Sequence, residues 1–590
     1  MARMANGGTT RARPVFTDRI FRCGQSDYYS DEILLAGRTH TTARLRAIAD
    51  AGFSGIWLHA RLRELVPGRL FRSCVKGSDD RFRALASLCA RTRRCGLDVW
   101  LYFTEPLGLG AGHRFWKDHP ELKGHTGKAG LGGEPDASLC SSTDPVRQFL
   151  HDGFGQLFSR LPLGGAILIT ASEHVSNCWS NVMRPAAQYA SPVDFWSRAC
   201  SCPRCGPRGP VEVVCEVINL INRGARTARP DAKVVAWDWA WNMYLAPPYR
   251  RLVDGLDPEV VLMGDFERGG RARRMGRSRE VEEYSLFSAG PSPRYRTAVR
   301  AFAPRRPMWA KLQVNTTHEL ATVPALPLLV SLYRKFRYLR EAGMRGYMAT
   351  WNFGCRPDTL NAFAVDRLSR GRPDRDRDRW LSRLVMEYFR LDGNGRDAAA
   401  ALVGFARAGE SYPIGSNCFL YFSPVNYALA YPLKLRFTGK PMGPTWIAHE
   451  HGDRLEDTAG DYTLAELVEL LERLHSRWDR AAHRYGQALQ SAADHRRARR
   501  EVGVTRVAGA TFRSTWNIYR WYLARRRRQA QRLSAADKAI VANEIENVRA
   551  ALPYVEADDR LGFHEEPQCY MFDTVSMKRK LRVLGKLLQD

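Results

Sequence analysis

Between Arg19 and about Ala364 the chain alternates two hydrophobic periods. Amphipathic stretches with apolar residues three and four apart give way to short β-branched and aromatic runs bounded by glycine or polar positions. The stretch 41–52 sets Leu45, Ile48 and Ala49 on one helical face and stops at Gly52, and "SGIWLHA" (54–60) follows as a strand. The unit recurs. A helix over 81–96 ends at Gly96 before the strand "LDVWLYFTEP" (97–106); another over 144–158, with Asp144 as cap and Pro145 in its first turn, feeds "AILITASEH" (166–174). Strands are predicted again at 233–241, 259–267 and 307–315, and a helix over 328–343 returns to a strand at 345–354. A first strand at 19–24, with 32–37 as its rival, makes eight. This pattern predicts an α/β architecture, a (β/α)8 TIM-type barrel over 18–365 behind a basic tail at 1–17.

Past Ala364 the strand signals fade. The run 370–379 reads as a charged linker or helix start, and 416–432 fits a strand or a loop. The stretch 463–489 carries Leu464, Leu467, Leu471, Leu474, Trp478 and Tyr485 at helical spacing behind a Thr463–Glu466 capping box. A mainly helical C-terminal domain over 366–590, packed on the barrel, is the expectation. The first residues lack the roughly 7–15 apolar positions of a signal peptide, and no run approaches the roughly 18 of a membrane span. That predicts a cytoplasmic protein with no membrane partner, or a secreted one if the start is mis-assigned.

Charge complicates this picture. A formal net charge of +28 and a pI near 9.9 would suit a polyanion-binding protein, yet only 13 of the 90 basic residues are lysine and the arginines are spread along the whole chain. The densest runs, 494–506 and 520–532, lie far from the barrel strands and read as solvated faces. Nucleic acid is therefore an unlikely partner, and an acidic or sulfated glycan is a substrate that such a field would steer.

In a barrel of this kind the chemistry sits at the C-terminal strand ends, where the connecting loops converge. Those ends carry Glu105, Glu173 and His174, Asp238 with Trp239 and Trp241, Asp265 and Glu267, then Lys311, Asn315, His318 and Glu319, and finally Trp351 and Asn352. Carboxylates interleaved with tryptophan suit a sugar: acids to protonate and to attack or stabilise, flat faces to stack on pyranose rings. Glu173 follows an apolar strand directly and is the expected general acid; Glu319, Asp238 and Asp265 are candidates for the second carboxylate. His174, Trp239, Trp241, Lys311, Asn315, Trp351 and Asn352 are the expected substrate-binding residues. Each acid has a plainer reading as an ion pair.

"ILITASEHVSNCWS" followed by "CSCPRC" (200–205) resembles the fourth-strand region of hexosaminidase-like glycoside hydrolases, the β-N-acetylhexosaminidases and bacterial endo-β-N-acetylglucosaminidases. The resemblance covers the barrel. It implies a catalytic glutamate at the end of strand four, at Glu173, and a glycosidase acting on an oligo- or polysaccharide that contains an amino sugar; charge adds the acidic glycan as the other substrate, and no cofactor for catalysis is expected. Where those enzymes carry an aspartate before the acid this chain has Ser172, which favours a protein nucleophile such as Glu319. A carbohydrate-binding barrel without catalysis and an arginine-based polyanion binder are the alternatives.

Cys178, Cys200, Cys202 and Cys205 form C-x21-C-x-C-x2-C, with Pro203 inside the last knuckle. Four thiolates so spaced suit a structural tetrahedral zinc; disulfides and unligated thiols are the other readings. Either staple would pin the loop after strand four over the site. The Gly-rich stretches 108–115 and 127–135 read as loops over the site, and 557–573, with His564, Glu565 and Glu566, fits either a segment that docks on the barrel mouth or a helix connection.

Overall fold

The structure is a computed structural model that describes residues 14–22, 30–127, 135–171, 174–180, 199–371, 374–393, 395–415, 417–445, 450–526 and 532–589. Eight parallel strands form one closed sheet: β1 (Asp18–Arg22), β2 (Gly55–His59), β3 (Asp98–Phe103), β4 (Gly165–Leu168), β5 (Val234–Trp237), β6 (Val261–Asp265), β7 (Met308–Leu312) and β8 (Gly346–Ala349). Each pairs with its neighbour in sequence, and β8 pairs back with β1 through Arg19↔Tyr347 and Ile20↔Met348. The eight strands are where periodicity puts them. Their C-terminal ends fall short of the apolar runs: β4 stops at Leu168, but Ile169 and Ala171 remain 3% and 1% exposed because loops cover them. Burial in the mouth, not strand pairing, prolongs the apolar signal.

The barrel is filled by rings. Trp57, Trp100, Tyr102, Trp237 and Trp309 interdigitate with Ile20, Ile167, Val235, Met263 and Met348, and Trp100 meets Trp309 edge to face at 5.1 Å. Glycines at strand starts make the space. A methyl group at Gly165 would lie 2.3 Å from the Trp100 ring, and one at Gly346 2.5 Å from Trp309. Opposing large and small residues is how a small barrel reaches interior packing density.

The stretch 32–37, the rival first strand, is helical. Helix Glu32–Thr39 begins where the Asp31 side chain accepts from the Leu34 amide, and its Glu32 makes a buried ion pair with Arg22 of β1. The ambiguous 416–432 supplies a short helix, Asn417–Phe422, and a 3-10 turn, Pro424–Tyr427. Beyond helix Leu360–Arg370 lie the long helices Arg377–Phe389, Arg396–Gly409, Leu464–Ala488, His495–Arg526, Ala535–Ala557 and Thr574–Gln589. The capping box at Thr463 and Glu466 forms, and Trp478 packs at 4.6 Å from Phe405 and 5.4 Å from Phe512. The hairpin Gly270–Arg274/Arg277–Val281 after β6 joins barrel to helices, with Arg274 Nε donating to the Tyr412 carbonyl at 2.7 Å and Arg279 pairing with Asp461 at 3.0 Å. Among the described residues no helix is long and apolar enough to cross a membrane.

Candidate active site

The mouth of the barrel is floored by Trp351. Thr350, directly after β8, adopts φ 68°, a left-handed conformation unusual for a β-branched residue, and it turns the following indole over the opening. Trp351 stacks on Trp57 at 5.4 Å and meets Tyr102, Trp237 and Tyr284 at 5.6, 5.5 and 6.2 Å. The ring is half-buried and its edge is fixed, since Nε1 donates to Glu566 Oε1 at 3.2 Å. Asn352 Nδ2 donates to the same oxygen at 3.1 Å.

Glu566 arrives from the far end of the chain. It sits in the turn of a short hairpin, Phe563–His564/Cys569–Tyr570, beside Glu565, whose Oε2 accepts the amides of Gly354 and, at 2.9 Å, Cys355. Gly354 has φ 81°, and a Cβ there would lie 2.8 Å from the Thr316 amide. Segment 557–573 therefore docks on the mouth, one of its two readings from sequence. Asn315 serves the same loop: its Nδ2 donates to the carbonyls of Gly354 and Arg356 at 2.9 and 2.8 Å, and its Oδ1 accepts from Thr359. Expected as a sugar ligand, Asn315 spends its amide holding the β8 loop.

On the β5 and β6 side, Asp238 and Asp265 come together around arginine. Arg294 Nη2 lies 2.8 Å from Asp238 Oδ1 and 3.5 Å from Asp265 Oδ2, Arg268 stands 3.7 Å from the latter, and the Asp265 amide donates to Asp238. Asp265 Oδ1 also accepts from Trp237 Nε1 at 2.8 Å. Burial pushes the Asp265 carboxyl up to about 8 against the pull of Arg294, with like-charged Asp238 adding to the rise. Lys311, buried, places its ammonium 3.1 Å from the centre of the Tyr284 ring; burial brings it down to about 7 against Glu267, Asp265 and Glu283. Glu267 is fully buried and paired with Lys335, which also donates to the carbonyls of Ser285 and Gln313 at 2.7 and 3.1 Å.

Glu319 stands beside Tyr284, one of the rings that meet Trp351. Its oxygens accept from Ser285 Oγ and, at 3.2 Å, from the Leu286 amide; it is 3% exposed and lines a small cavity with Glu283, Tyr284 and Tyr412. Burial raises its carboxyl to about 7. Its neighbour His318 packs against Tyr284 at 5.2 Å and Phe353 at 4.7 Å. Glu105 is likewise engaged by backbone, accepting from the amides of Leu62 and Leu107 at 2.6 and 3.0 Å.

Of the expected stacking rings, Trp239 is half-buried under the Arg268 guanidinium at 4.5 Å. Trp241 is not at the mouth: it is 2% exposed and packs edge to face on Tyr249 at 5.9 Å in the core outside the barrel. Glu173 lies outside the described residues. Its flanks are fixed: Thr170 O accepts from Ser176 Oγ at 3.1 Å and from Asn177 Nδ2, and half-buried His174 stands close enough to His59 to act on it electrostatically. Sequence reasoning missed Glu283, Tyr421 and Arg294. Tyr421 hydrogen-bonds Glu283 and feels the charges of Arg268 and Glu566, so the two half-buried glutamates share one tyrosine neighbour.

The cysteine cluster differs in membership from the spacing-based expectation. Sγ atoms of Cys140, Cys178, Cys202 and Cys205 all lie within 4.8 Å of one another, and Cys200 stands outside the group. Cys140 takes its place because the sheet of Leu109–Gly110, Lys123–Thr126 and Asp136–Leu139 delivers the end of its central strand beside the 202–205 knuckle. Leu109–Gly110 is thus a strand, not a free loop; of the second Gly-rich stretch, 128–134 lies outside the described residues.

No protein-family profile matches the chain, and no curated protein does. Among solved structures, the GH89 enzyme of Clostridium perfringens, in complex with its substrate GlcNAc-alpha-1,4-galactose, is similar over 98% of this chain and 63% of its own, at 10% identity and a TM-score of 0.49. A family GH115 4-O-methyl-alpha-glucuronidase with specificity for decorated arabinogalactans aligns over 97% and 62%, at 12% identity and 0.45. The GH20 exo-beta-N-acetylglucosaminidase of Vibrio harveyi, in complex with N-acetylglucosamine, aligns over 67% and 58%, at 10% identity and 0.37. The chain spans less than two thirds of each of these structures.

Proposed function

We propose that the barrel mouth hydrolyses a glycosidic bond in an oligo- or polysaccharide, with Glu173 as general acid and base and Glu566 as the opposing carboxylate. One observation carries this reading: a carboxylate held by Trp351 Nε1 and Asn352 Nδ2 stands beside a half-buried indole at the C-terminal end of a closed barrel. An indole face stacks on a pyranose ring, and a fixed carboxylate stabilises the positive charge that develops as the glycosidic bond breaks. Glu173 supplies the proton to the leaving oxygen; its sequence position, between the buried end of the β4 run and His174, is the support for that role. Glu319, with both oxygens engaged and little exposure, serves as a positioning residue for the Ser285 loop. The chain's positive charge favours an acidic glycan.

Several arginines of the long helix are engaged by acids. Within His495–Arg526, Arg500 pairs with Asp358, Arg513 with Glu546, Arg525 with Asp537 and Arg526 with Glu456. The test is release of chromophore from a panel of aryl glycosides and of reducing ends from acidic and amino-sugar polysaccharides. Glu173→Gln and Glu566→Gln should each lower turnover roughly a hundred- to ten-thousand-fold while glycan affinity persists. Binding without hydrolysis by the unaltered chain would overturn the reading in favour of a carbohydrate-binding barrel, and unchanged turnover in both variants would overturn the assignment of the acids.

A further inference from the structure

Four thiols at the edge of the mouth make a second site, separate from the carboxylates. Cys140, Cys178 and Cys205 are fully buried and Cys202 is 2% exposed, so the group is closed to solvent. The sulfurs of Cys140 and Cys202 are 3.6 Å apart and those of Cys140 and Cys205 3.5 Å. A tetrahedral zinc with Zn–S bonds of about 2.3 Å sets neighbouring sulfurs about 3.8 Å apart, whereas a disulfide brings them to about 2.05 Å. The spacing fits a shared ion.

The surroundings are those of thiolates. Ser138 Oγ donates to Cys178 Sγ at 3.2 Å, Ser142 Oγ lies 3.2 Å from Cys205 Sγ, and Arg204 Nε donates to Cys140 Sγ at 3.2 Å while its Nη2 holds the Lys123 carbonyl at 2.9 Å. Hydrogen-bond donors and one guanidinium offset the negative charge that four thiolates leave on a divalent ion. The packing allows little else there: a Cβ at Gly124 would lie 2.4 Å from Cys178 Sγ and 2.6 Å from Ser138 Oγ.

We propose that Cys140, Cys178, Cys202 and Cys205 bind one zinc ion as a closed tetrathiolate, the four thiols releasing their protons as the metal enters. Four protein ligands leave no position for a substrate, so the ion is structural. Its position gives it a task. Cys178 follows Ser176 and Asn177, which tie back to the Thr170 carbonyl at the end of the β4 run, and the Val175 carbonyl accepts from Gly108 at 2.6 Å. On the other side Trp179 Nε1 donates to the Cys205 carbonyl at 2.9 Å, and the Trp179 carbonyl accepts from Tyr244 of the loop after β5. The ion fastens three separate loops around the segment that carries Glu173; this consequence for turnover rests on the function proposed above, while metal binding itself does not.

The test uses the full chain purified under reducing conditions without chelator. Elemental analysis should find one zinc per chain, and replacement by Co(II) should give the thiolate-to-cobalt charge-transfer and visible bands of a tetrahedral tetrathiolate. Cys140→Ser should lose the metal and the bands, and Cys200→Ser should keep both. A folded chain that takes up neither ion, a disulfide among these four cysteines by mass spectrometry, or metal lost in Cys200→Ser would overturn the proposal. Should Cys140→Ser fail to fold, the cobalt spectra of the unaltered chain and of Cys200→Ser still decide. A tetrathiolate spectrum in a chain without hydrolytic activity would leave the metal site standing and remove only its link to Glu173.

Discussion

Arg294→Met tests whether the two aspartates at the ends of β5 and β6 depend on one cation. Arg294 and Asp238 side chains are each 7% exposed and that of Asp265 is fully buried, so water does little screening. At 2.8 Å, with an effective dielectric near 20, Arg294 and a charged Asp238 attract by about 6 kcal/mol before desolvation, and Asp265 at 3.5 Å adds about 5 kcal/mol only once it ionises. Removing one member of such a group leaves uncompensated buried charge, and the net destabilisation should be about 3–5 kcal/mol. For a cooperative barrel of about 350 residues with an unfolding entropy near 0.7 kcal/mol/K, that lowers Tm by about 4–7 °C. The deficit should grow as pH rises through about 8, where Asp265 ionises beside Arg294. Scanning fluorimetry across pH reads both effects, and Arg294→Met with Asp238→Asn should recover part of the loss. A Tm within about 1 °C of the unaltered chain, or a deficit independent of pH, would refute the reasoning.

Asp265 has a folded-state pKa raised to about 8, above its unfolded value, so its stabilising contribution is complete below about pH 4 and is lost as pH rises through 8; Asp265→Asn should flatten that decline in a Tm-against-pH profile. Gly165→Ala would put a methyl group 2.3 Å from the Trp100 ring and 2.6 Å from the Lys233 carbonyl, and overpacking of about 1–3 kcal/mol should appear as a lower denaturant midpoint, eased in part by Trp100→Phe. Glu565→Ala leaves the Gly354 and Cys355 amides without their shared acceptor, which should cost about 1–3 kcal/mol and open the segment 558–573 to limited proteolysis while the spectrum of the long helices stays unchanged.

What was legible in the chain follows the range of the interactions that fix it. The eight strands and the helix behind Thr463 are set by local period and caps, so they could be read from neighbouring residues. The strand-end rule also reached Asp238, Asp265, Lys311 and Trp351, since a barrel aims those positions at its mouth or into its upper layer. It failed at Trp241 and Asn315 for a shared reason: past the last paired residue the chain turns, and which way a side chain then points depends on what receives it. Tyr249 receives Trp241, and the Gly354 and Arg356 carbonyls receive Asn315.

The residues that sequence missed or left uncommitted have partners far along the chain. Glu566 lies 215 residues from the indole it fixes, and Cys140 joins Cys205 across 65 residues through the pairing of a small sheet. Spacing along the chain favours Cys200 because it is near in sequence, whereas the cluster takes Cys140, brought to the 202–205 knuckle by the small sheet. Arg294 escaped notice for the opposite reason: in a chain with 77 arginines no single one stands out until a buried aspartate pair singles it out. Local pattern therefore sets the scaffold and the direction of the mouth, while the identity of the groups that meet there depends on long-range packing, and a glutamate contributed by the last hairpin ties the placement of Trp351 and Asn352 to the docking of that hairpin.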